Sequence, residues 1–260
     1  MSQNNNPILI ERDGEIVVVT LNRPQVRNAI DAATAGALAQ AFEDFGRDDS
    51  LNVAVLTGSA GTFCAGFDLR EVAQGGRQLS RQETRGPIGP TWMFLGKPVL
   101  AAVEGHAVAG GMELALWCDL RIAARNAVFG VYNRRFGVPL IDMGTVRLPR
   151  LIGQSHALDL ILTGRGVSGE EALRMGVANR LVDPGGALDA TVQLAHTLAK
   201  FPQRGLRNDR MSVYQQWALS ADEARRNELR LGLEVLASGE SVAGATRFVS
   251  GAGRHGRFGQ

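Results

Sequence analysis

Two short stretches hold the residue types that chemistry needs. Gly105-His-Ala-Val-Ala-Gly-Gly-Met-Glu-Leu114 sets one carboxylate, Glu113, just past a Gly-Gly pair, and Thr62-Phe-Cys-Ala-Gly-Phe-Asp-Leu69 repeats the small-residue texture some forty residues earlier. Small residues let a chain turn sharply out of a strand and present its own N–H groups, and N–H groups at a helix start attract negative charge. Two such turns converging on one oxygen make an oxyanion hole, in which loss of one donor typically costs about 100- to 1000-fold in rate. Each stretch taken singly also reads as plain structure. AGGM can be close helix–sheet packing, and Asp68 can cap the helix after CAGFDL. Neither is a Walker loop, because no Gly-Lys-Ser/Thr follows.

For Glu113, burial raises the pKa and the helix N-terminus lowers it, the setting of an acid/base group or of simple dipole complementarity. Cys64 has no basic neighbour in sequence and reads as a small apolar filler. His106 reads as a core or rim histidine. Two cysteines without a CxxC pair and four scattered histidines give neither a disulfide framework nor metal-ligand spacing.

The elements around these stretches alternate. Ile8–Glu11 and Ile16–Leu21 flank an Arg-Asp-Gly-Glu turn and predict a hairpin. A helix follows over 32–45, capped by Asp31, with Leu38, Ala41, Phe42 and Phe45 on one face. Continuous apolar runs at 53–57, 99–103 and 120–123 predict strands buried on both faces. From about residue 145 the texture turns helical, over 154–163, 168–176, 187–201 and 208–237, with one late strand within 177–182 and a Gly-rich basic tail over 250–260 read as a flexible end. The fold class is α/β: a core over 1–195, then a helical region over 196–260 in the same functional unit.

Of the 260 residues, 45% are hydrophobic, enough for a sizeable core, and 28 basic against 26 acidic residues leave a net charge of +2 without a basic block. That balance points away from nucleic acid. Glu104, His106 and Glu113 argue against a membrane span over 98–118, since one carboxylate in hydrocarbon costs about 2.5 to 3.5 kcal/mol. No secretory signal is readable at the start, so the expected location is cytoplasmic.

Phe63–Leu69, Gly105-x-x-x-Ala-Gly-Gly-x-Glu-Leu114 with Cys118-Asp119, Leu21-Asn-Arg-Pro24 with Asn28-Ala29, and Leu162-Thr-Gly164 with Glu171-Ala172 and Gly176-Val177 fall in order along the chain. Together they resemble the crotonase superfamily, the enoyl-CoA hydratase/isomerase family, over about residues 8–250. The resemblance implies a spiral of ββα repeats, a C-terminal helical trimerisation region and a homotrimer or hexamer. It implies an acyl-CoA thioester as substrate, an enolate held by the backbone N–H groups of Phe67 and Gly110, and no metal or redox cofactor. It places CoA along Val26, Arg27, Ala29, Ala65, Gly66, Asp68 and Leu69, with Arg23, Arg27 or Arg70 as phosphate contacts. Trp92 and Phe94, in the 86–97 loop between the two stretches, are read as lining of the acyl pocket or as generic packing.

The hydratase branch uses two glutamates. Glu113 fills the first position, but the second is Asn133, an amide that cannot exchange a proton in the useful pH range. Nine residues on, Asp142 aligns with or near a catalytic aspartate of the diketone-cleaving and dehalogenating branches, or else caps the helix opening at Thr145. The expectation is therefore a 2-enoyl-CoA hydratase with Glu113 and Asp142 as the acid/base pair, and with Asn133, Tyr132 or Arg134 orienting substrate or water. The alternatives are an isomerase, decarboxylase or C–C hydrolase using the same enolate, or a non-catalytic CoA- or RNA-binding homologue.

Overall fold

The computed structural model describes residues 6–75 and 84–253, so the flexible-end expectation falls outside the described residues from 254 on. Strands β1 (Ile8–Asp13) and β2 (Ile16–Leu21) pair as the expected antiparallel hairpin. Strand β2 then pairs in parallel with β3 (Val53–Gly58), β3 with β4 (Val99–Val103), β4 with β6 (Leu120–Ala124) and β6 with β9 (Arg180–Val182). A second sheet orders β5 (His106–Val108), β7 (Val128–Gly130) and β8 (Gly166–Ser168).

The connections make the spiral legible. Strand β4 joins the large sheet, β5 the small one, and helix α3 (Gly110–Trp117) follows; β6 and β7 repeat the division and lead to α4 (Gly144–Ile152). This is the ββα arrangement the resemblance implies. Buried on both faces, β3 and β4 are apolar almost throughout. Helix α1 (Ala32–Arg47) starts where Asp31 accepts the Thr34 N–H at 2.8 Å, and it buries Leu38, Ala41, Phe42 and Phe45. Helix α2 (Leu69–Ala73) is short and capped by Asp68, whose carboxylate accepts from the Arg70 N–H at 3.2 Å. Helices α5 (Gln154–Thr163), α6 (Gly169–Met175) and α7 (Ala187–Ala199) match the expected helical runs, except that Gly166–Ser168, partly inside one of them, forms β8.

The chain divides into two compact units, Met1–Leu198 and Ala199–Gln260. The second holds α8 (Gln203–Gln215), α9 (Ala221–Ala237) and α10 (Glu240–Val249). The single helix expected over 208–237 is thus two helices. Ser220 and Glu223 form a capping box that starts a new helix. Within this unit the α8 residue Asn208 donates to the Leu231 carbonyl on α9 at 2.9 Å. No helix among the described residues is long and apolar enough to cross a membrane.

Candidate active site

Residues 63–68 run alongside the β4–β5 segment. Phe63 N–H donates to the Glu104 carbonyl at 2.8 Å, Cys64 N–H to His106 at 2.9 Å, and Val108 N–H to Cys64 at 3.1 Å. At the end of this ladder Ala109 turns the chain with φ 54°, unusual for a residue with a Cβ, and Gly110 opens α3. The first N–H of a helix has no acceptor within it. Gly66, at φ 90°, lies against this start: a Cβ there would stand 2.8 Å from the Gly110 nitrogen. The segments bearing the Phe67 and Gly110 N–H groups are therefore in backbone contact. Gly111 has the packing role open to AGGM, since a Cβ there would stand 2.1 Å from the Cys64 carbonyl oxygen.

One turn into α3, Glu113 is 2% exposed. Its Oε1 accepts the N–H groups of Asp142 at 2.9 Å and Gly144 at 2.8 Å, the start of α4. Gly144 makes room for it, because a Cβ there would meet Glu113 Oε1 at 2.7 Å. Burial, and then the negative charge of Asp142, push the Glu113 carboxyl up to about 8, against the opposing pull of the two N–H groups and of Arg147.

Asp142 is fully buried, and its Oδ1 accepts from the Ile88 N–H at 3.1 Å and from the Thr91 hydroxyl. The capping position of α4 belongs to Met143, with no side-chain cap. Arg147 donates to the Asp142 carbonyl at 2.9 Å and to the Thr91 carbonyl at 2.6 Å, and Trp92 Nε1 donates to the Ile141 carbonyl at 3.0 Å. Asp142 thus ties the 88–91 segment to the start of α4 from behind Glu113.

A cavity of about 310 Å³ opens in front of Glu113. It brings together Glu113, Asn133, Phe67, Gly110, Arg27, Ala65 and Leu69, with Tyr132, Phe136, Val138 and Pro139 as further wall. Asp142, Val26, Ala29, Gly66, Asp68, Trp92 and Phe94 are not on that wall. Arg23 is engaged elsewhere, bridging Asp31 at 2.9 Å and Asp68 at 3.2 Å and donating to the Ala29 carbonyl. Of the other two arginines, Arg27 is exposed and on the wall, and Arg70 is exposed but off it. Cys64 is buried and its thiol is pushed up to about 12, which suits a filler and not a nucleophile. Phe136, Val138 and Pro139 on the wall, and Gly144 against Glu113, had no signal of their own in the sequence.

The family model for enoyl-CoA hydratase/isomerase matches residues 11–252. The chain belongs to that family. A carnitinyl-CoA dehydratase of Salmonella arizonae is 41% identical over 193 residues, 74% of each chain. Enoyl-CoA hydratase EchA19 of Mycobacterium tuberculosis is 32% identical over 247 residues, 92% of each. Among solved structures, enoyl-CoA hydratase EchA1 of Mycobacterium marinum superposes with a TM-score of 0.89 at 36% identity, covering 94% of this chain and 96% of its own. Membership in this family makes the chain an enzyme of the enoyl-CoA hydratase/isomerase type. Among the described residues no group of three or more His, Cys, Asp or Glu could hold a metal ion.

Proposed function

We propose that the protein is a 2-enoyl-CoA hydratase, working in the hydration or the dehydration direction. The observation that carries the reading is Glu113, a buried carboxylate with an elevated proton affinity, on one cavity with the N–H-bearing segments at Phe67 and Gly110. The thioester oxygen accepts hydrogen bonds from the Phe67 and Gly110 N–H groups, which stabilise the charge that develops there. Because Oε1 is held by two backbone donors, Oε2 is the working oxygen. It takes a proton from water as the water oxygen bonds to C3 and the π-electrons move to the thioester oxygen. The same Oε2–H then returns that proton to C2, so one water is added in full and no metal or redox group takes part.

Asp142 enters as a positioning residue. Its N–H holds Oε1, its charge raises the proton affinity of Glu113, and its Oδ1 is held by the 88–91 segment. The reading includes CoA along Arg27, Ala65 and Leu69, a cytoplasmic location, and a homotrimer or hexamer. Exposed Trp217, Leu229, Leu233, Leu236, Val242 and Phe248 in the helical unit support the last point.

Incubation with 2-butenoyl-CoA tests the assignment by loss of the conjugated-thioester absorbance and by mass spectrometry. The expected product carries the mass of one added water. Asn133, which transfers no proton, favours a second reading in which an enolate formed by deprotonation, decarboxylation or C–C cleavage is protonated at carbon, deprotonation followed by protonation at a different carbon being isomerisation; a product of unchanged or reduced mass from an acyl-CoA panel selects it.

A further inference from the structure

The direction of the Phe67 N–H is set by the segment at Ile30. Ile30 and Phe67 form an isolated parallel bridge, in which the Ile30 N–H donates to the Gly66 carbonyl at 2.8 Å and the Asp68 N–H to the Ile30 carbonyl at 3.0 Å. In a trans peptide the carbonyl and the following N–H point opposite ways, so the Gly66 carbonyl, by facing Ile30, turns the Phe67 N–H away from it. One guanidinium straddles this bridge. Arg23, with 17% of its side chain exposed, donates to the Ala29 carbonyl at 2.5 Å, and its Nη2 lies 2.9 Å from an Asp31 oxygen and 3.2 Å from an Asp68 oxygen. Asp31 directly follows Ile30, and Asp68 directly follows Phe67. Both carboxylates also cap helices, α1 and α2. Capping alone asks for no arginine. Two negative groups within reach of a single Nη2 repel each other once the cation is gone, and the two sides of the bridge then part.

We propose that Arg23 is a positioning residue, whose guanidinium holds the Asp31 and Asp68 carboxylates together and thereby keeps the Gly66–Phe67 peptide turned so that its N–H meets the thioester oxygen. The inference rests on the acyl-thioester reading above. Arginine suits the task because its planar fork presents five donors at once, where a lysine ammonium is a point charge. Arg23 itself is not on the cavity wall. Its removal therefore weakens the transition state more than binding, since the charge on the thioester oxygen develops only during the reaction.

The test pairs kinetics on 2-butenoyl-CoA with infrared spectra of bound butanoyl-CoA, isotope-labelled at the thioester carbonyl. On the unsubstituted enzyme the carbonyl band is expected to move below its position in free butanoyl-CoA. Arg23→Met is expected to lower kcat about tenfold or more with KM within about threefold, and to reduce that shift. Adding Asp31→Asn, which keeps a cap but removes one of the two repelling charges, is expected to raise kcat again by about threefold or more. An unchanged kcat in Arg23→Met overturns the proposal, and with a raised KM it makes Arg23 a contact of CoA itself. So does a loss of kcat with the carbonyl shift intact, and so does a loss that Asp31→Asn leaves unrepaired. Should Arg23→Met not fold, the double variant carries the test on the carbonyl band, where a shift equal to that of the unsubstituted enzyme overturns the proposal. No shift on the unsubstituted enzyme would instead remove the oxyanion-hole reading itself.

Discussion

Glu104 and Glu113 make the same local motif at two places in the first unit. Each offers one carboxylate oxygen to two backbone N–H groups at the start of a distant helix. Glu104 Oε1 accepts from Gly185 at 3.0 Å and Ala187 at 2.9 Å, where α7 begins; Glu113 Oε1 accepts from Asp142 and Gly144, where α4 begins. The surroundings differ. Glu104 is half-buried, whereas Glu113 is almost fully buried, has the Asp142 charge behind it and a cavity in front. Capping a helix is thus the shared task. Desolvation and a second carboxylate turn one of the two caps into a group that exchanges protons near neutral pH.

The largest expected effect separates the two at once. Glu113→Gln lowers turnover of 2-butenoyl-CoA by about 100-fold or more, while Glu104→Gln leaves it within about twofold, read by absorbance under saturating substrate. A loss of similar size in both would show that helix capping, not proton transfer, limits the reaction.

The next effect lies in the pH profile. Both directions start from ionised Glu113, so kcat/KM is expected to rise with pH and level off above about 8. A plateau already reached at pH 6 would mean that burial and Asp142 do not set the working proton affinity.

The smallest effect is in stability, where the two sites should differ in sign. Folded Glu113 holds its proton up to about 8, against 4.5 for the ordinary carboxyl, so stability is lost as pH rises between those values. Glu113→Gln is expected to melt several degrees above the unsubstituted protein at pH 9, with the gain shrinking towards pH 5. Glu104→Ala loses a cap and is expected to cost about 1 kcal/mol at pH 7. Calorimetric scans that moved both variants the same way would erase the distinction.

Much of this was legible in the sequence. The hairpin, α1 with its Asp31 cap, and the buried strands follow from local pattern, and the two small-residue turns announce backbone donors on the strength of composition alone. Counting along the chain also finds Asn133. What was not legible depends on partners far away. Oδ1 of Asp142 goes to Ile88 and Thr91, more than fifty residues upstream, and no local rule distinguishes that from a helix cap. The break at Ser220 is different: its capping box, Ser220 with Glu223, is a local signal that the sequence already carries.

The close approach of Gly66 to the Gly110 nitrogen, and of Gly111 to the Cys64 carbonyl, bears on how this site changes over generations. At these positions any side chain at all is the obstacle, so a mutational scan should find them closed to nearly every codon. Phe67, whose proposed part is played by its main chain, should tolerate most replacements except proline. The proposed oxyanion-binding frame would then be inherited as backbone shape, with Asn133 and the 136–139 wall free to drift.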